Sequence, residues 1–211
     1  MHTPLRRYAR VQRRLAAHAD DLLRFGVPDA RPAHVEELLE DILSPAPSGL
    51  ISEDVLRHIK SKLPELRERA AELASFGVPD TIDHGDLHPG NILGTAAESR
   101  AFDWGDASVG SPFGSLLVIL RSTPEFCGFD RADPGVSALR DVYLEPWLAE
   151  DGRSAAEVNR AADLALSLTP VSRAHAWTRT FPCFRGAAKP WQGAEFWLGT
   201  LGAEDPVTAG L

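Results

Sequence analysis

The chain has 211 residues, 44% of them hydrophobic and 25% charged, with a net charge of −8. That composition belongs to a folded globular protein long enough to bury a sizeable core, and the negative balance argues against a nucleic-acid partner, whose phosphates want basic patches. No apolar run approaches the ~18 residues of a membrane span, and the opening MHTPLRRYARVQRRL lacks an apolar stretch ending in a small-residue cleavage site, so we expect a cytoplasmic protein with no membrane partner.

In chain order, Leu5, Tyr8, Leu15, Ala19 and Leu22 recur near one face at helical spacing, which predicts a helix over 5–25 stopped by Gly26 and Pro28. Residues 32–43 open with Pro32 and acidic residues, as a helix start should, and 44–49 is a loop. Ser52 is placed to cap a helix reaching about Leu63, and Pro64 to start another that ends near Phe76–Gly77. The pentapeptide FGVPD occurs at 25–29 and again at 76–80, each time after an amphipathic helix. Two short copies read as a repeated helix stop, not as a solenoid.

Helical periodicity ceases over 81–107. There Ile92-Leu93 and Ala101-Phe102 are short apolar runs separated by a polar segment, which predicts a small β-hairpin. Helices are expected again at 113–121, 135–148, 154–168, 171–180 and 190–199, with Pro124, Pro134, Pro170 and Pro182 at or near the breaks. No charge-rich or Gly/Ser linker divides the chain, so we expect one domain over 1–211 of the α+β class, mainly α-helical. Cys127 and Cys183 are too few for a disulfide framework, lack metal spacing, and read as free buried thiols. Trp177, Phe181, Phe184, Trp191 and Trp197, at near-helical spacing, read as core, and Arg173, Arg179 and Arg185 as a solvated face.

The segment that carries chemistry is HGDLHPGNIL at 84–93, followed across the hairpin by FDWGDA at 102–107. Asn91 follows Asp86 by five residues and Asp103 follows Asn91 by twelve. A hairpin folds Asp103 back beside Asn91, bringing a carboxylate and a carboxamide oxygen to one point with a second carboxylate nearby. Magnesium wants oxygen ligands and needs only one or two carboxylates besides substrate phosphates. Phosphoryl transfer asks little more of a protein than that charge and a carboxylate to take the proton of the attacking hydroxyl. Asn91 and Asp103 suit the metal role, and Asp86 that of the base.

The pattern H-x-D-x-x-x-x-N followed by D-x-G has the layout of the protein-kinase catalytic and metal loops. The fuller string from His84 to Leu93 resembles the aminoglycoside phosphotransferase and choline kinase superfamily, most sharply over 81–121. The resemblance implies a protein-kinase-like C-terminal lobe whose β-hairpin carries the catalytic and metal loops. It implies Mg2+, ATP or another nucleoside triphosphate as donor, and a small-molecule hydroxyl as acceptor. It makes Asp86 the base and Asn91 and Asp103 the metal and cofactor ligands. His84 and His88 become loop supports, and Asp106 a contributor.

Two departures qualify it. Relatives carry D-P-x-x-D-L after the metal aspartate, the second Asp helping to fix the catalytic loop. Here the segment is Ser111-Pro112-Phe113-Gly114-Ser115-Leu116, without charge. A strand-rich N-lobe with a glycine-rich loop and a phosphate-gripping lysine is also expected to be absent. Only Gly26, Gly49 and Gly77 precede Asp83, Lys60 and Lys62 lie in a predicted helix, and Lys189 follows the site. Two alternatives follow: an inactive remnant or binding module, as a homodimer or with a separate N-lobe partner, and a metallohydrolase using His84, Asp86 and His88 as ligands.

Overall fold

The computed structural model of the protein describes residues 1–95, 98–149, 152–180 and 188–210. Helix α1 (His2–Leu15) buries Leu5, Tyr8, Ala9 and Gln12. The expected continuation to residue 25 is interrupted by a 3-10 turn at Ala16–His18 before α2 (Ala19–Arg24). No residue of α2 is fully buried. A 3-10 turn at Pro32–His34 leads into α3 (Val35–Leu43), which buries Val35, Leu38, Leu39 and Ile42 on one face.

Helix α4 (Glu53–Ser75) starts where expected, with Ser52 Oγ accepting from the Val55 N–H at 3.4 Å. It does not restart at Pro64 but runs through it. Pro64 lies on the exposed side, while Ile59, Leu66, Ala70 and Leu73 keep one buried face on both sides of the proline, so packing outweighs one missing hydrogen bond.

Four short strands follow: β1 (Thr81–Asp83), β2 (Ile92–Leu93), β3 (Arg100–Ala101) and β4 (Ser108–Gly110). The hairpin pairs Ile92 with Ala101 and Leu93 with Arg100, one residue earlier than the apolar pattern suggested on its second arm. Unforeseen from the sequence, β1 pairs antiparallel with β4 in the register Ile82 to Val109. The two FGVPD copies meet at this ribbon. The first leads to Pro28 and Ala30, whose backbone brackets Val109 with two 2.8 Å hydrogen bonds; the second feeds directly into β1. Before Thr81 the described residues form helices, turns and one isolated bridge, Asp29 to Val109.

Prolines break fewer helices than the sequence suggested. Helix α5 (Ser115–Cys127) contains Pro124, α6 spans Pro134–Ala149, and α7 (Ala155–Thr180) is continuous through Pro170 where two helices were expected. Ser154 and Glu157 form a capping box at the start of α7. Val158, Ala161, Ala165, Val171 and Ala174 are buried before and after Pro170, and α7 packs against α3, α4, α6 and α8 (Ala188–Gly199). The core cluster reaches from Leu5 to Leu201 and includes Phe113, Tyr143, Trp147 and Trp191. Trp191 and Trp197 are buried as expected, and Trp177 packs partly buried against the same core. Cys127, expected to be buried, is exposed because it ends α5 at the Gly128 turn. Phe181, Pro182, Cys183, Phe184 and Arg185 lie outside the described residues. Among the described residues no helix is long and apolar enough to cross a membrane.

Candidate active site

The loop between β1 and β2 is shaped by two histidines. His84 is fully buried. Its Nδ1 accepts from the Asp86 N–H at 3.3 Å and its Nε2 donates to the Phe102 carbonyl at 2.9 Å. Those partners fix one tautomer, with the proton on Nε2, and tie the loop bearing Asp86 to the residue before Asp103. His88 Nδ1 accepts from the Gly90 N–H at 3.0 Å, its Nε2 lies 3.6 Å from Asp86 Oδ2, and its ring stacks on Phe126 at 4.9 Å. Both histidines are hydrogen-bonded within the loop. The metallohydrolase reading is overturned, since both ring nitrogens of His84 are engaged within the protein.

Asn91 is buried, and its Nδ2 donates to the Asp86 carbonyl at 3.0 Å, which leaves Oδ1 as the atom that could hold a metal. Its own carbonyl accepts from the Phe102 N–H at 3.1 Å. Asp86 and Asn91 are thus joined directly, and both the Asn91 carbonyl and the His84 ring are bonded to Phe102, the residue before Asp103. Asp103 is exposed and takes the left-handed conformation, φ 62° and ψ 62°, the one non-glycine with positive φ among the described residues. Aspartate tolerates that region better than most side chains, at a cost of order 1–3 kcal/mol that folded structures concentrate at functional sites. Trp104 covers the junction, its ring 4.6 Å from His84 and its Nε1 donating to the Ala101 carbonyl at 3.1 Å.

Beneath the loop lies a buried polar network that the sequence did not disclose. Asp83 accepts from the Gly85 N–H at 3.1 Å and from Ser115 Oγ. Because Ser115 donates to Asp83, the Tyr8 hydroxyl 2.8 Å away must donate to Ser115, and it also accepts from the His84 N–H at 3.0 Å. Burial pushes the Asp83 carboxyl above its ordinary value, against the hydrogen bonds that favour its charge. Burial and the Asp83 charge together push the Tyr8 hydroxyl well up. Asp83 of β1 and the uncharged Ser115 are thus hydrogen-bonded to each other beneath the loop, and Asp83 also holds the Gly85 N–H. A cavity of about 20 Å³ on the other side of Asp83, lined also by Ser108, Ser111 and Thr169, has room for one water.

Two arginines expected on a solvated face are instead part of this region. Arg173 of α7 is buried, donating to Asp86 Oδ1 at 3.1 Å, to Asp106 Oδ2 at 2.9 Å and to the Gly85 carbonyl. Arg179 donates to the carbonyls of Asp106 and Ala107 at 2.7 and 2.9 Å. Asp106 is thus tied to α7. The available signal was the apolar company of Arg173: Val171, Ala174 and Ala176 put an arginine inside a buried helix face.

Magnesium fits the donor set, which offers the carboxamide oxygen of Asn91 and the carboxylate of Asp103 and no soft ligand. Beside the hairpin, a largely apolar groove of about 250 Å³ runs between α1 and β2–β3, lined by Val11, Leu87, Ile92 and Trp104 and also by Arg7 and Arg100. A model of the phosphotransferase enzyme family matches residues 2–156, a span that holds Asp83, Asp86, Asn91, Asp103 and Asp106 but not Thr169, Arg173 or Arg179. No curated protein and no solved structure matches the chain.

Proposed function

Because the chain belongs to the phosphotransferase enzyme family, we propose that it transfers the terminal phosphoryl group of ATP to the hydroxyl of a small molecule, with Asp86 as the base. The observation that carries this reading is the junction at Phe102. One residue bonds both His84 and Asn91, so the loop that presents Asp86 and the turn that presents Asp103 move as one unit. Magnesium bound there would neutralise phosphate charge. Asn91 Oδ1 and Asp103 would hold it, and Asp86 would orient the acceptor hydroxyl and take its proton. We place the donor's base in the apolar groove beside Trp104.

Replacing Asp86 by Asn in the full chain tests this, with ADP formation measured across a panel of alcohols, amino alcohols and aminoglycosides. Turnover should fall by about 100- to 10,000-fold, the range of a lost general base, with the melting temperature preserved. Retained turnover rejects the assignment.

A second reading, a family member that keeps the fold but cannot clamp nucleotide and does not turn over, is favoured by the lysines. Lys60 and Lys62 lie on α4, Lys62 pairs with Glu65 at 3.1 Å, and Lys189 lies on α8. None is on a strand, from which kinases grip the phosphates. Calorimetry with MgATP discriminates, because binding weaker than about 1 mM would favour this second reading.

A further inference from the structure

The Arg173 side chain bonds both the loop of Asp86 and the segment following Asp103. We propose that it is a positioning residue, which sets the orientation of the Asp86 carboxylate and locks residues 84–86 to residues 103–107; the proposal rests on the reading of Asp86 as the base. Its guanidinium is a rigid planar fork, able to serve several acceptors at fixed angles as a lysine ammonium cannot. Nη2 donates to Asp86 Oδ1 at 3.1 Å, and Nη1 donates to Asp106 Oδ2 at 2.9 Å and to the Gly85 carbonyl. With Oδ1 held by arginine, Oδ2 is the oxygen that faces the acceptor, on the side where His88 Nε2 lies 3.6 Å away.

The surroundings favour a purpose-built clamp over a chance ion pair. Only 6% of the Arg173 side chain is exposed, against 34% for Asp86 and 22% for Asp106. The cation is thus the buried member and the carboxylates reach outward from it. Trp197 of α8 covers the guanidinium at 5.6 Å. Arg179, further along α7, holds the same segment through the carbonyls of Asp106 and Ala107. The two loops also touch directly. A Cβ on Gly85, whose φ is +75°, would lie 2.5 Å from the Asp106 carbonyl oxygen, so only glycine permits the approach that Arg173 then bridges. Without the cation, two carboxylates would face each other across a partly buried gap, and like charges so placed repel. The clamp comes from residues 173–179, beyond the span matched by the family model. The tertiary fold therefore completes the site from a helix that the motif does not contain.

The test uses the full chain carrying Arg173→Lys, Arg173→Met or Asp106→Asn, with Arg160→Ala as a control because Arg160 pairs with Glu72 on the surface. Amide exchange is measured first, then steady-state rates with MgATP. In Arg173→Lys, amides of 84–88 and 103–107 should lose protection by about tenfold or more while the α4 and α7 amides do not change. Where turnover is measured, kcat should fall by about 100-fold with the KM for ATP nearly unchanged, as expected when a reacting group is misplaced by about an ångström. Asp106→Asn should give a smaller loss of the same kind, and it carries the test if Arg173→Met fails to fold. Unchanged exchange in both segments, or wild-type kcat in Arg173→Lys, overturns the proposal. Asp86→Asn, run alongside, separates the two failures. Wild-type turnover in Asp86→Asn removes the base reading, whereas an inactive Asp86→Asn beside a fully active Arg173→Lys removes the positioning role alone. Should no form turn over MgATP, the exchange result decides.

Discussion

Asp83 is a carboxyl group that the fold buries and then uses. Burial raises its folded-state pKa above the ordinary value of about 3.9. Between those two values the native chain holds a proton that the unfolded chain has released, so stability falls as pH rises through that window. Asp83→Asn, which still offers an oxygen to the Gly85 N–H, removes the titration. Urea melts at a series of pH values from about 4 upward should show wild type losing stability relative to the Asn variant as pH rises. A difference independent of pH would mean that the carboxyl is not perturbed in the folded state. Asp80, also raised by burial, titrates in both proteins and cancels in the comparison. Asp86, Asn91 and Asp103 stood out in the sequence as candidates because phosphoryl transfer would need such residue types at that spacing. Asp83 and Tyr8 did not, since an aspartate before a histidine and a tyrosine in an amphipathic helix carry no sign of meeting through Ser115.

Among the elements, the prolines misled most. Pro64, Pro124 and Pro170 each sit inside a helix that the sequence reading ended or restarted there. A proline removes one hydrogen bond and bends the axis, but a buried face that continues on both sides holds the helix together. Exposed Pro64 should therefore be a net burden to α4. Pro64→Ala should raise stability by about 1–3 kcal/mol, read as a higher urea midpoint with an unchanged slope; a lower midpoint would show that the bend itself is needed. The β1–β4 ribbon escaped notice for a different reason. Three-residue strands have too few positions to show a period of two, and their partners lie on either side of the whole functional loop.

On the scale of the whole molecule, the site rests on the packing beneath it. Phe113 is fully buried, follows β4, and meets Trp147 of α6 edge-on at 5.5 Å, while Arg13 of α1 lies over the other surface of that tryptophan at 5.0 Å. Phe113→Ala should cost about 3–5 kcal/mol, measured by denaturant unfolding, because it opens a cavity where three elements meet. Loss of less than about 1 kcal/mol would mean that the site collapses to fill the space.

By itself the sequence determined the helical character of the chain and the hairpin at Ile92 and Ala101, and it singled out Asp86, Asn91 and Asp103 as candidates, because these depend on periodicity and on local spacing within about twenty residues. Tertiary structure alone decided that Asp83 would meet Ser115 and that Arg173, 87 residues after Asp86, would bond the Asp86 carboxylate. Such contacts join residues far apart in the chain, and only the packing of α1, α5 and α7 around the ribbon brings them within hydrogen-bonding distance.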